Sequence, residues 1–126
     1  MDGQLMKTDW KNEHASCRVV QNPELPPEMD RVREVVRVYT DEDHRGQGFA
    51  TELMRAVCDE ADVLSIVLML QPLPFGEGLS KDKLMAWYSR FGFVKTQNKP
   101  VLMARAPSFR ASLTGVVSAV DGLARG

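Results

Sequence analysis

Apolar positions along the chain change their spacing several times, and each change marks an element. Val35 to Tyr39 is rich in β-branched and aromatic residues, which predicts a strand over 33–40, and Thr40-Asp41-Glu42-Asp43 supplies a polar turn after it. Ala50, Leu53, Met54, Val57 and Ala61 then recur at helical spacing, with Glu52, Arg55, Asp59 and Glu60 opposite, predicting a helix over 49–62. Val63 to Leu70 is nearly all apolar, as in a strand covered on both faces, so strand, helix and strand form a right-handed parallel β-α-β crossover. Gln71 to Leu79 holds two prolines and two glycines and reads as a loop. Ser80 caps a helix whose apolar stripe is Leu84, Trp87, Tyr88 and Phe91, and Gly92 ends it. Phe93 to Thr96 and Pro100 to Arg105 read as a final hairpin.

The two ends are less regular. Residues 1–15 are polar around Trp10, whose simplest role is core packing. Ser16 to Gln21 predicts a strand antiparallel to 33–40, closed by Asn22-Pro23 and Pro26-Pro27. After Pro107, Phe109, Leu113, Val116, Val117, Val120 and Leu123 fall at helical spacing, although Gly115 and Gly122 each weaken that helix by about 1 kcal/mol. Packing on its own domain is one role for this tail helix, and a homodimer contact is the sharper one. The expected class is α/β: a mixed central sheet around a parallel crossover, with an extra C-terminal helix.

Between the first strand and the first helix lies Arg45-Gly46-Gln47-Gly48-Phe49-Ala50. Glycines at a helix start leave backbone N–H groups open, the macrodipole favours negative charge there, and Arg45 adds a cation, so the run reads as a pyrophosphate cradle. A dinucleotide fingerprint needs a third glycine that is absent here, and Asp62, at a suitable distance for the ribose, sits where the helix runs out. A Walker loop needs Gly-Lys-Ser/Thr, and none follows.

What remains, R-x-x-G-x-A, resembles the acetyl-CoA signature of the GCN5-related N-acetyltransferase (GNAT) superfamily. The likeness continues without a gap back to Arg33-Glu34-Val35-Val36-Arg37-Val38-Tyr39. Further on, Trp87-Tyr88-Ser89-Arg90-Phe91-Gly92-Phe93 resembles the family's F-Y-x-x-x-G-F. Two motifs in the right order are far more specific than either alone, and the match runs over residues 33–105. The resemblance implies a compact GNAT-like acetyltransferase domain over 1–106, with 107–126 as a helical extension. Three departures stand out. Glu42 replaces the usual proline, leaving Asp41, Glu42 and Asp43 together in what reads as a solvated turn rather than a metal site. Gln71-Pro72 stands where the family often has Asn, opening a loop that could serve as a substrate lid or a plain connection. The part before the first motif is short, lacking the two helices that usually shape the acceptor groove, which implies an open groove or a wall borrowed from a partner.

The same resemblance distributes roles. Val38, Tyr39 and Thr40 would hold the pantetheine arm by backbone hydrogen bonds, as an added strand would. Arg45, Gly46, Gln47, Gly48, Phe49, Ala50 and Thr51 would bind the pyrophosphate, while no residue declares itself for the adenine. Tyr88 matches the family tyrosine that donates to the departing sulfur, whereas spacing alone would make it a core aromatic. Glu34 stands where relatives place a base; on an unbroken strand it shares a face with Val36, Val38 and Thr40, and partial burial there would raise its pKa. A bulge would change that facing, and an exposed glutamate paired with Arg33 or Arg37 is the plain alternative.

Composition narrows the setting. The chain's 126 residues suffice for one core and not two. No apolar run approaches the roughly 20 residues of a membrane span, and Met1-Asp2-Gly3-Gln4 has no signal-peptide core, so a cytoplasmic protein is expected. A net charge of −1 offers no general footprint for nucleic acid. Cys17 and Cys58 read as free thiols, and His14 and His44, the only histidines, give a histidine metal site little to work with, so no metal is expected. The expected activity is transfer of an acetyl group from acetyl-CoA to a primary amine, on a protein lysine or a small molecule, by direct attack. The alternative is a GNAT-fold module that binds acyl-CoA, or regulates a partner, without turnover.

Overall fold

The computed structural model describes residues 6–74 and 79–108. Its strands are β1 (Asp9–Lys11), β2 (Ala15–Val20), β3 (Val32–Thr40), β4 (Val67–Leu70), β5 (Val94–Asn98) and β6 (Val101–Arg105). Helix α1 (Phe49–Leu64) joins β3 to β4, and α2 (Lys81–Ser89) lies between β4 and β5. The six strands form one sheet in the order β1-β2-β3-β4-β6-β5. Only β3 and β4 run parallel, as a strand-helix-strand crossover requires. The sheet is therefore mixed, and the predicted α/β class with its β-α-β unit is what the chain adopts. The proposed tail helix lies outside the described residues.

The core fills one face of the sheet. Trp10, Cys17, Val19 and Val35 meet Leu53, Met54, Val57 and Ala61 of α1, together with Tyr88 of α2 and Phe93. Alternation along β2 explains its share, since Ala15, Cys17 and Val19 are buried while Arg18 is exposed. Trp10 is a core residue that donates its indole N–H to the Lys7 carbonyl at 2.8 Å. Both cysteines are buried and free, and burial pushes each thiol up to about 11, with the neighbouring Cys58 adding to the effect on Cys17.

Helix α1 ends later than its apolar pattern indicated. Val63 and Leu64 belong to its last turn, not to the following strand, and Val63 is 56% exposed. The stop signal is Ser65, which adopts a left-handed conformation (φ 58°) and donates its N–H to Asp62, while Ile66 N–H returns to Ala61. Asp62 is thus buried inside the helix, where both carboxylate oxygens accept from the Arg105 guanidinium at 2.8 and 3.0 Å. Arg105 Nε also donates to the Phe91 carbonyl, and Ser108 N–H donates to Asp62. One buried ion pair ties α1, the α2–β5 corner and the end of β6.

Strand β3 carries the feature that shapes the site. Ser16 pairs with Tyr39 but Arg18 pairs with Val36, so two steps along β2 match three along β3. The extra residue falls at Arg37, which takes a left-handed φ of 57°, and the strand bulges there. Cross-strand partners share a face. Glu34, opposite Val20, and Val36, opposite Arg18, therefore lie on the outer face, together with Tyr39 beyond the bulge. Val35, Val38 and Thr40 lie on the core face, where Val38 packs against the cluster. The unbroken-strand alignment of Glu34 with Val38 and Thr40 is corrected by this bulge.

Candidate functional site

The sheet opens at its centre. β3 and β4 pair only from Val32↔Val67 to Glu34↔Met69, because β4 ends at Leu70 while β3 continues to Thr40. Past that point no described strand lies along this edge of β3. A cleft of about 800 Å³ occupies the core-face side of the opening, between β3, the start of α1 and α2.

The floor of the cleft is the turn into α1. Gly46 (φ 79°) and Gly48 (φ 92°) both sit in the left-handed region that glycine enters without steric cost. Gly48 is the N-cap of α1 and offers no side-chain cap, so the first-turn amides keep no partner of that kind. A methyl group built on either glycine meets no heavy atom of the described residues within 4 Å, its chain neighbours aside. These are properties of a surface shaped for something to approach the backbone closely. Arg45 is placed beside it, its Nε donating to the Thr40 carbonyl at 3.2 Å and its guanidinium 5.9 Å from the Tyr39 ring.

The opposite wall is α2. Ser80 caps it by accepting from Lys83 N–H at 3.3 Å, as its sequence predicts. Tyr88 is buried, with its ring edge-on to Trp87 and Phe93, and it lines the cleft. Tyr88 is thus the core aromatic that spacing alone indicated, and it is also one of the residues lining the cleft. Burial pushes the phenol well above the ordinary tyrosine value and Cys17 adds to this, so it stays protonated at neutral pH. Trp87 closes the gap to α1 by donating its indole N–H to Thr51 Oγ1 at 3.1 Å.

Of the residues singled out in the sequence, the cleft gathers Val38, Thr40, Arg45, Gly46, Gly48, Phe49, Ala50, Thr51 and Tyr88. Three stand elsewhere. Tyr39 is on the outer face, 43% exposed. Gln47 is exposed, its amide donating to the Asp43 carbonyl at 3.4 Å. Glu34 is half-buried on the outer face, at the last pair before β3 and β4 part. The backbones of Tyr39 and Gln47 are still part of the strand and turn that frame the cleft.

The cleft also contains two residues to which the sequence reading assigned no role, and both described ends of the loop read as a lid or a plain connection. His44 and Arg90 line it, as do Leu73, Pro74 and Leu79 at the two described ends of the 71–79 loop. Arg90 lies inside the Trp87–Phe93 motif at a position the motif does not specify, so only its neighbours in sequence pointed to the cleft. His44 directly precedes Arg45 of the glycine turn, a neighbour in sequence that could have marked it, whereas its stacking on His14 could not be read locally.

The acetyltransferase (GNAT) domain family matches residues 6–95, and the chain belongs to this family, whose members transfer acyl groups from acyl-CoA. Solved structures agree on the fold. The ribosomal-protein-S18-alanine N-acetyltransferase of Escherichia coli is 16% identical, with a TM-score of 0.56 over 75% of this chain and 62% of that one. A GNAT family N-acetyltransferase from Escherichia coli, solved in complex with CoA, is 19% identical, with a TM-score of 0.51 over 82% of this chain and 56% of that one. The anti-CRISPR protein AcrVA5 is 17% identical, with a TM-score of 0.58 over 78% of this chain and 98% of that one. The chain therefore spans less than two thirds of the length of the two bacterial enzymes and nearly the whole of the third protein. No curated protein matches it. At such identities the likeness is one of fold, and the site has to be read from its own residues.

Proposed function

We propose that the protein is an N-acetyltransferase that uses acetyl-CoA and a primary amine, with direct attack of the amine. The observation that carries this reading is the meeting of three features in one cleft: an open edge of β3, an uncapped glycine start of α1, and a protonated phenol at Tyr88. Each suits a different part of the coenzyme. The open edge of β3 at Val38 to Thr40 suits the amide-bearing pantetheine arm, which would extend the sheet as an added strand. The amides of Phe49, Ala50 and Thr51, with Gly46, Gly48 and Arg45, suit the diphosphate. Bound acetyl-CoA supplies the thioester that carries the acetyl group.

The chain's own residues then have limited work to do, because holding two reactants in line is itself worth roughly 7–11 kcal/mol. Tyr88 holds a proton at its phenol oxygen and can donate it to a departing thiolate. Glu34 lies on the other face of the sheet, at the point where β3 and β4 separate. A carboxylate there can accept a proton from an ammonium that arrives from the outer face, directly or through water. Glu34 and Tyr88 would thus serve opposite sides of one opening.

The outer face also bears on the acceptor. Both α1 and α2 pack on the core face, so neither covers the face of Arg18, Glu34, Val36 and Tyr39. An approach over this face, where Arg18 and Tyr39 are exposed, suits an amine on a large molecule, such as a protein lysine. A cytoplasmic location fits this reading, and among the described residues no helix is long and apolar enough to cross a membrane. The test is thiol release from acetyl-CoA with peptide lysines, polyamines and amino acids as acceptors, followed by mass spectrometry of the product. Binding of CoA without transfer to any amine would leave the non-catalytic module as the function.

A further inference from the structure

We infer that His14, Asp41 and His44 form a binding site for a divalent transition-metal ion of the zinc class. His14 sits in the turn between β1 and β2, while Asp41 is the N-cap and His44 the last residue of the 3-10 turn Glu42–His44 that follows β3. The chain holds these segments together by its backbone. Asp41 N–H donates to the His14 carbonyl at 2.8 Å, and His44 N–H donates to the Asp41 carbonyl at 2.9 Å. Asn12 fixes the first turn, accepting from the N–H groups of His14 and Ala15 at 3.1 and 2.9 Å and donating its side-chain N–H to the Phe49 carbonyl at 2.9 Å.

The side chains offer a ligand set. One ligand atom from each of His14, Asp41 and His44 can be chosen so that all three lie within 4.8 Å of one another. His14 Nδ1 is 3.1 Å from Asp41 Oδ2. The two imidazole rings are stacked, with centroids 3.4 Å apart and planes 10° from parallel. A second observation is independent of this grouping: His44 Nδ1 is buried and has no hydrogen-bond partner among the described residues. Buried polar atoms of that kind are rare in folded proteins because leaving one unmatched costs free energy. An ion bound in the plane of the His44 ring is one group that can satisfy it.

The donor types select the metal. Two imidazoles and a carboxylate suit zinc, cobalt or nickel, whereas magnesium and calcium prefer all-oxygen sites. Three protein ligands leave a fourth position for water or another ligand. The stack itself sets a condition. An imidazole lone pair lies in its ring plane, so one ion cannot be in the plane of two parallel rings, and binding must turn one ring out of the stack. His14 is the ring that can turn, since its side chain is 26% exposed. The site shares His44 with the wall of the cleft, but metal binding requires no coenzyme and is tested in its absence.

The experiment is calorimetric titration of the intact chain, free of coenzyme, with zinc chloride and separately with magnesium chloride. Expected is one zinc per chain, with affinity at least tenfold weaker in each of His14→Gln, Asp41→Asn and His44→Ala, and no comparable binding of magnesium. Cobalt should give visible absorption bands that are lost in the same variants, and histidine ring NMR signals should separate as the stack opens. The inference is overturned if zinc fails to bind at one per chain, if magnesium binds as tightly, or if folded His14→Gln binds zinc as the parent does. Should His44→Ala fail to fold, His14→Gln, a substitution of a half-buried side chain in the β1–β2 turn, decides the question alone.

Discussion

Gly48 is where the reading of the cleft can be tested most directly. Its φ of 92° and ψ of 0° place it in the left-handed region, and a methyl group built there meets nothing among the described residues within 4 Å, its chain neighbours aside. Gly48→Ala therefore costs backbone strain and no clash, about 1–2 kcal/mol. For a domain of this size each kcal/mol corresponds to roughly 3–6 °C in Tm, so the variant should remain folded at 25 °C with a modestly lower melting point. The empty space around that methyl is the space a diphosphate would need. Gly48→Asp carries similar strain and adds a carboxylate. At about 4–5 Å and an effective dielectric of about 20, each pair of like charges costs about 3–4 kcal/mol. Affinity for CoA should then fall by about a hundredfold or more in Gly48→Asp, with Gly48→Ala between it and the parent. The assay is isothermal titration calorimetry with CoA, alongside circular dichroism to show that each variant is folded. A folded Gly48→Asp that binds CoA as well as the parent would refute the placement of the diphosphate at the start of α1.

Other consequences can be checked alongside. Tyr88→Phe keeps the ring that packs against Trp87 and Phe93 but removes the donor, so turnover should fall about 10–100-fold while CoA affinity barely changes; a full-rate variant would return Tyr88 to a purely packing role. Asp62→Ala leaves the Arg105 guanidinium buried without its carboxylate, and urea unfolding should show a loss of about 3–5 kcal/mol, against which a loss under 1 kcal/mol would count. The thiols predict a pH dependence of stability. Their folded pKa values of about 11 exceed the ordinary 9.0, so the folded state keeps protons that the unfolded state has lost. This contribution is complete below pH 9 and disappears as pH rises to 11, by roughly 2–3 kcal/mol per thiol at most. Thermal melts across that window should fall less steeply for a Cys17→Ala, Cys58→Ala double variant, and parallel curves would exclude the effect.

The residues that carried the family likeness were legible because their chemistry is local. A glycine turn, an apolar strand before it and an amphipathic helix after it depend on neighbours in sequence, so 33–62 could be read in order and the turn given a purpose. The Ser80 cap and the Tyr88 stripe were legible for the same reason. Helix α1 was read two residues short because Val63 and Leu64 are as apolar as a buried strand; only the left-handed Ser65 marks the stop, and serine does not announce that conformation.

What sequence alone determined was the order of elements from β2 onward, the mixed α/β class and a glycine-rich helix start, since propensity, period and glycine freedom are properties of short segments; β1 (Asp9–Lys11), three residues around Trp10, left no such pattern. Tertiary structure decided the rest. The bulge at Arg37 reversed the facing of β3, sending Glu34 outward while Val38 and Thr40 turned into the cleft. Insertion of β6 between β4 and β5 brought Arg105 to Asp62, 43 residues away. The meeting of His14 with Asp41 and His44 likewise depends on the pairing of β2 with β3. Register and strand order arise from pairing across the sheet, and no local pattern records which distant residue a side chain will face.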